Sequence, residues 1–280
     1  MPGPRKARMA DVPPGGDSPF SYAVTSRDQE TINMVEAAIR HKQVLLAYQP
    51  IMQARDQSKT AFYEGLIRVL DATGRVIPAK DFMDQIENTE LGRQLDTLAL
   101  GLGLRALNDN PDLRLSINMS ARSIGYRAWN KTLERWINRN ELIGERLILE
   151  ITESSAMLVP ELVIDFMDRL QMNGICFAMD DFGAGYTALR YFRDFHFDVI
   201  KIDGQFIKGI THSADNQVMT ASLISIAKHF DMLTVAEFVE NQEDADTLTR
   251  LGVDCLQGYH FAAATTRPSW VQQAPTSKAI

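Results

Sequence analysis

A chain of 280 residues with 45% hydrophobic and 23% charged residues has the balance of an ordinary globular protein and room for one large domain. No apolar run approaches the roughly 20 residues that span a bilayer, and no apolar stretch follows the basic Arg5, Lys6 and Arg8. Neither a membrane segment nor a secretory leader is therefore expected, which points to the cytoplasm, and a formal net charge of −7 argues against broad binding to duplex nucleic acid.

Residues 1–27 hold five prolines and three glycines among few large aliphatics. That composition cannot bury enough surface to fold alone, so a flexible tail is expected there, and another over 271–280. Between them a single domain, residues 28–270, alternates two periodicities. Strand-like runs at 44–51 and 60–69 are only about nine positions apart, too few for the dozen or more of a crossover helix. These two should form an antiparallel hairpin. A long Leu-rich helix is expected over 91–107, strands over 113–118 and 147–151, and a helix over 162–172 behind Pro160, which suits a helix start. Strands follow at 175–180, 199–202, 233–237 and 253–256, with helices over 216–230 and 243–251. The sum predicts an α/β fold: a modified TIM (β/α)8 barrel with one antiparallel strand in an N-terminal β-hairpin.

Polar residues recur where these apolar runs stop: Glu64, Asn118, Glu150, Asp180, Asp181, Glu237 and Gln257, with Lys201 following Val199-Ile200. Any one alone reads as a cap or a solvated turn residue. Together they would share the C-terminal rim, where such barrels keep their active sites. Five carboxylates cannot stay ionised in one cleft unless cations neutralise them. A hard-oxygen set without His or Cys favours Mg²⁺ or Mn²⁺ over zinc. With Asn118 it suffices for two ions roughly 4 Å apart, a geometry that activates water and clamps a phosphoryl group.

Lys201 could orient the attacking water or stabilise developing negative charge, or form a Schiff base with a carbonyl substrate; the dense carboxylates favour the first. In Asp180-Asp-Phe-Gly-Ala-Gly185 the glycines let backbone approach a ligand closely. Asp-Phe-Gly also occurs in protein kinases, but no Gly-rich nucleotide loop or His-Arg-Asp segment accompanies it, which excludes a kinase. Glu153 is placed either to brace the turn after Asp181 or to be a plain first-turn acid. Arg68, four residues after Glu64, suits a phosphate or a salt bridge within the barrel. His41, His196, His212, His229 and His260 share no spacing, and Cys176 and Cys255 read as reduced, buried thiols within strands.

The ordered segments Tyr48-Gln-Pro-Ile51, Tyr63-Glu-Gly-Leu-Ile-Arg68, Ser116-Ile-Asn-Met-Ser120 and Leu149-Glu-Ile-Thr-Glu153 resemble the EAL domain family, phosphodiesterases of the bacterial messenger cyclic di-GMP. The resemblance continues through Asp180-Asp-Phe-Gly-Ala-Gly-Tyr186, Ile200-Lys-Ile-Asp203, Ala236-Glu-Phe-Val-Glu240 and Gln257-Gly-Tyr-His-Phe261, and spans about residues 28–262. It implies a barrel with one antiparallel strand and Mg²⁺- or Mn²⁺-dependent hydrolysis of the cyclic dinucleotide to linear 5′-pGpG. It further implies that Glu64, Asn118, Glu150 and Asp180 bind a first metal and that Asp180, Asp181 and Glu237 serve a second. By the same resemblance Lys201 holds the nucleophilic water, Gln257 supports the metal–water network and Glu153 steadies the loop after Asp181, while Gln49 and Arg68 meet the substrate. A homodimer is implied too.

Four positions depart from the family pattern: Gly65 inside the signature, which keeps the ligand but is expected to loosen its backbone, Ala184 for a threonine, Phe238 for a glycine, and Ala262 in the closing segment. None removes an implied ligand. They define the alternative function, a weak or inactive domain that binds cyclic di-GMP and signals through a separate protein partner.

Overall fold

The computed structural model describes residues 19–185 and 192–271, with side chains from residue 27 onward. Strands β1 (Val44–Gln53) and β2 (Thr60–Leu70) form the expected hairpin, in register from Val44 opposite Val69 to Ile51 opposite Phe62. A short strand, β3 (Val76–Pro78), pairs with the far end of β2, outside the ring. The ring continues through β4 (Leu115–Asn118), β5 (Leu147–Thr152), β6 (Cys176–Phe182), β7 (Val199–Ile202), β8 (Leu233–Ala236) and β9 (Cys255–Leu256). It closes where β1 meets β9 antiparallel; β2 and β4 to β9 pair parallel. The eight expected strands thus form a closed barrel whose one reversed member is β1.

Residues on the outer faces of the strands join the helices in the main core. Ile117, Leu149, Phe177, Met179, Ile200 and Ile202 pack in one cluster with Leu95, Leu100 and Leu104 of α3 (Glu90–Asp109), counting α1 (Pro19–Arg40) and α2 (Met83–Ile86) before it. Each such side chain contributes about 1.5–3 kcal/mol by leaving water. The same cluster takes Trp129, Leu133 and Ile137 of α4 (Arg127–Ile137), which recur every four residues on one face. Then come α5 (Glu153–Leu158), α6 (Pro160–Gln171), α7 (Gly204–Ile207), α8 (Ala214–His229) and α9 (Gln242–Leu251). Pro160 occupies the first turn of α6, where its missing N–H costs nothing.

The inner faces form a second, separate cluster: Ile51, Phe62, Ala178, Val199, Val235 and Cys255, with Ile148 against it. These come from six strands that follow one another round the ring, from β6 through β9 and β1 to β2, so the side chains at the two ends of that run meet across the barrel and fill its floor. Two residues further along each parallel strand stand Glu64, Glu150, Asp180, Lys201, Glu237 and Gln257. A strand repeats its facing every two residues. The polar set is therefore the next layer of the same interior, stacked on the apolar floor. Antiparallel β1 obeys the same count in reverse, with Ile51 opposite Phe62 and Gln49 opposite Glu64.

Three expectations change. The tail expected over residues 1–27 is helical from Pro19, because nothing between Phe20 and Arg40 breaks a helix; residues 1–18 and 272–280 lie outside the described residues. Glu64 does not end its strand: β2 runs on to Leu70, as the run expected over 60–69 implies, since Ile67 and Val69 keep the alternation and bury outward. The turn at Asp71, whose carboxylate takes the amides of Thr73 and Arg75, then sends the chain back as β3. Both cysteines are free, with Cys255 buried and Cys176 only half-buried at the start of β6.

Candidate active site

Lys201, 1% exposed, stands at the centre of the polar layer. Its Nζ lies 2.9 Å from Glu150 Oε2, 2.9 Å from Asp180 Oδ1, 2.9 Å from Glu237 Oε1 and 3.4 Å from Glu64 Oε2. Burial alone would strip its proton, but the four carboxylates win and hold its pKa well above the usual lysine value. The ammonium is charged.

One cation cannot neutralise four acids. Burial raises Glu64 as well, but Lys201 and the amides of Gln257 and Asn118 outweigh it, and its pKa ends below the ordinary value. The amide contacts are short: Gln257 Nε2 donates to Glu64 Oε2 at 2.6 Å and Asn118 Nδ2 to Glu64 Oε1 at 2.7 Å. The other acids give way. Burial, then the negative charge of Glu64, pushes Glu150 up to about 8. Burial also drives Glu237 well up, and burial with the neighbouring Asp180 lifts Asp181 to about 6. Without added cations, this layer takes up protons near neutrality.

That excess tests whether divalent ions fit. Asp180, Asp181 and Glu237 each bring a carboxylate oxygen within 4.8 Å of the others. Glu150 Oε1 and Gln257 Oε1 are buried with no hydrogen-bond partner among the described residues. An acid surplus, orphaned buried oxygens and a hard-oxygen donor set fit hard divalent cations.

A shell of contacts places the acids. Asp181 holds a left-handed backbone (φ 56°) at the irregularity between Met179 and Phe182, where β6 slips against β7. This slip brings Asp180 and Asp181 both toward the rim, which straight alternation forbids. Glu153, buried in the first turn of α5, accepts from the Gly183 amide at 3.0 Å, in the turn after Asp181. Gln49 accepts from Gln257 Nε2 at 3.2 Å and donates to the Ala262 carbonyl at 3.0 Å, so residue 262 contributes backbone rather than side chain. Arg68, on the extension of β2, donates to the Ile67 carbonyl, makes no ion pair among the described residues and lines the cavity.

The cavity above the acids measures about 420 Å³. Gln49, Glu64, Arg68, Asp180, Asp181, Lys201, Glu237 and Gln257 line it, while Asn118, Glu150 and Glu153 sit behind this surface. Leu66, Pro78 to Lys80, Phe238, Glu240, Gly258 and Tyr259 complete the wall. These were not singled out as site residues: Pro78 to Lys80 arrive only because β2 overruns the rim, and Phe238 stood out only as a departure from pattern. Asp96 was missed as well. From α3 it accepts from Ser120 N at 3.0 Å and Ser123 Oγ at 2.6 Å, clamping the turn just after Asn118. No spacing in the sequence links it to that turn. Tyr186 lies outside the described residues.

Gly65 has backbone partners on both sides, opposite Tyr48 in β1 and Ile117 in β4, so it does not loosen Glu64. A Cβ there would meet Ile117 Cδ1 at 2.7 Å. Ile117 fills the space an alanine methyl would need.

Comparison with known proteins agrees with this geometry. The EAL domain family matches over residues 32–264. A cyclic di-GMP phosphodiesterase of Shewanella oneidensis, PdeB, is 29% identical over 246 residues, covering 86% of this chain and 29% of the relative. One from Borreliella burgdorferi, PdeA, is 31% identical over 242 residues, covering 85% of this chain and 36% of the relative. The chain thus spans about a third of the length of these curated relatives. Among solved structures, the PaMucR phosphodiesterase in complex with c-di-GMP superposes with a TM-score of 0.77 at 26% identity, covering 86% of this chain and 98% of that one.

Proposed function

The chain belongs to the EAL domain family, and from that premise we propose that it is a metal-dependent phosphodiesterase that hydrolyses cyclic di-GMP to linear 5′-pGpG. The observation that carries this reading is Lys201, a buried ammonium within 3.4 Å of four carboxylates at the base of an open cavity. A purely structural acid cluster would not lie open to a cavity of about 420 Å³.

Glu64, Asn118, Glu150 and Asp180 would hold one Mg²⁺ or Mn²⁺, and Asp180, Asp181 and Glu237 a second. Bound there, the ions would supply an acidified water and neutralise charge on the phosphoryl oxygens. The remaining work falls to the protein. Lys201 Nζ, fixed by four acceptors, orients the water that adds to phosphorus as the bond to the 3′ oxygen breaks and that oxygen takes a proton. Gln257 and Asn118 lock the Glu64 carboxylate from both sides, so it does not have to reorganise during the reaction. Glu153 holds the turn that carries Asp181. Arg68, which makes no ion pair among the described residues, would take a phosphate oxygen of the substrate, and Gln49 lines the same wall.

The test is to incubate the purified protein with cyclic di-GMP and Mg²⁺ or Mn²⁺, with and without chelator, and identify products by chromatography. The expected result is 5′-pGpG that disappears on chelation and in Glu64→Ala. Metal-replete protein that binds the dinucleotide and leaves it intact would overturn hydrolysis and make the domain a receptor.

A further inference from the structure

Phe238 follows Glu237 directly and holds a left-handed backbone with φ 53°, a region that a bulky side chain adopts only under strain. Its ring is not tucked into the core. It is 48% exposed and stands in the wall of the acidic cavity. The strain is imposed from both sides. Glu237 N donates to Ile202 O, while the Val239 amide donates to Gln257 O at 2.9 Å and the Val239 carbonyl accepts from His260 N at 3.0 Å.

The ring has a prepared seat. A Cβ on Gly204 would come 2.4 Å from Phe238 Cδ2 and 2.8 Å from Cγ, so the ring lies against bare backbone that only glycine provides. Gly204 has no positive φ; its role here is space. Lys208 Nζ sits 4.5 Å from the ring centroid, a cation–π contact that fixes the ring's tilt. Tyr259, 72% exposed, stands in the same wall. A strained residue whose large apolar side chain is held out toward solvent does not improve folding. A planar aromatic surface beside a phosphodiester site suits a nucleobase, which any aromatic face can stack.

We propose that Phe238 is a substrate-binding residue whose ring stacks a base of the cyclic dinucleotide. The assignment rests on the phosphodiesterase reading above and deepens it. A glycine would relax the backbone at 238 but remove the platform, so stability and affinity should move in opposite directions.

The experiment compares wild type, Phe238→Gly, Phe238→Ala and Phe238→Tyr by melting temperature, by the split of KM and kcat for cyclic di-GMP, and by calorimetric titration with the same dinucleotide. Loss of a stacked base weakens binding by about tenfold or more. The expected result is therefore a KM about tenfold higher in the Gly and Ala variants with kcat less affected, and a KM in Phe238→Tyr near that of wild type. Phe238→Gly should melt at or above the wild-type temperature, which keeps the measurement free of folding failure. A merely structural Phe238 would give the reverse, a lower melting temperature at constant KM, and would overturn the proposal while leaving the phosphodiesterase reading intact. If the wild type neither binds nor cleaves cyclic di-GMP, both fall together.

Discussion

The two layers inside the barrel share strands and lie two residues apart, yet their physics is opposite. Phe62, Ala178, Val199, Val235 and Cys255 form a dry floor that stabilises by close packing. Glu64, Asp180, Lys201, Glu237 and Gln257, directly above, crowd like charges around one ammonium. The floor stabilises the fold; the upper layer draws on that stability, since Glu150 and Asp181 are held near neutrality against their ordinary acidity. Substitutions in the floor should therefore cost stability and spare chemistry, and those above it should do the reverse.

Lys201 is the exception on which the upper layer depends, and Lys201→Met should have the largest effect. Removing one partner of a buried ion cluster costs about 3–5 kcal/mol. Losing a positioned donor at the reacting centre costs on the order of 10²–10³-fold in kcat. Both losses are expected, measured by urea unfolding of the chelated protein and by turnover with metal; a variant of unchanged stability would remove the ammonium from the centre of the account. In the floor, Phe62→Ala should cost about 3–5 kcal/mol through the cavity it leaves, while turnover per folded molecule stays within about threefold. A collapse of activity in folded Phe62→Ala would show that the two layers are not separable.

Glu150→Gln sharpens the contrast because it should stabilise while it inactivates. An amide carries no charge to repel Glu64 and Asp180, and relief of such strain commonly gives about 0.5–2 kcal/mol. A less stable chelated variant would mean that Glu150 is ionised and well paired. The same reasoning fixes the pH dependence. Glu150 titrates near 8 and Asp181 near 6 in the folded chain, above their ordinary values, so the native state binds more protons than the unfolded state across that window. Stability of the chelated protein should fall as pH rises from about 5 to 8, and added Mg²⁺ or Mn²⁺ should raise the melting temperature more at pH 8 than at pH 5. A melting temperature that stays flat or climbs over that range contradicts the proton-loaded layer.

What the sequence made legible follows from the same alternation. An apolar run ending in a polar residue shows both the strand and its inward face, which is why all eight ring strands and the seven polar endings could be read. The hairpin was legible from loop length alone. The run over 60–69 was legible as a strand too, but it places Glu64 in mid-strand rather than at a strand end. α1 escaped because its apolar residues are sparse between polar ones, whereas α4 carries Trp129, Leu133 and Ile137 at helical spacing, a signal that was there to read. The slip at Asp181 and the left-handed Phe238 are backbone events imposed by partners distant in sequence, and a linear pattern carries no trace of them.

The last expected effect falls on stability alone and concerns Gly65, the residue that breaks the family signature beside Glu64. Ile117 Cδ1 lies 2.7 Å from where a Cβ on Gly65 would sit, and equally 2.7 Å from one on Gly103 of α3. One isoleucine thus fills the space of two absent methyls, wedged between strand and helix. Gly65→Ala should overpack this wedge and cost about 1–3 kcal/mol. Ile117→Val, which costs about 0.5–1.5 kcal/mol alone, should cost nothing or restore stability in the Gly65→Ala background. Additive losses in that double-mutant cycle would mean that Gly65 and Ile117 are not a compensating pair. Coupling of the expected sign would mean that the altered signature is a repacked one, with Glu64 held by β1 and β4 as firmly as an alanine neighbour would leave it.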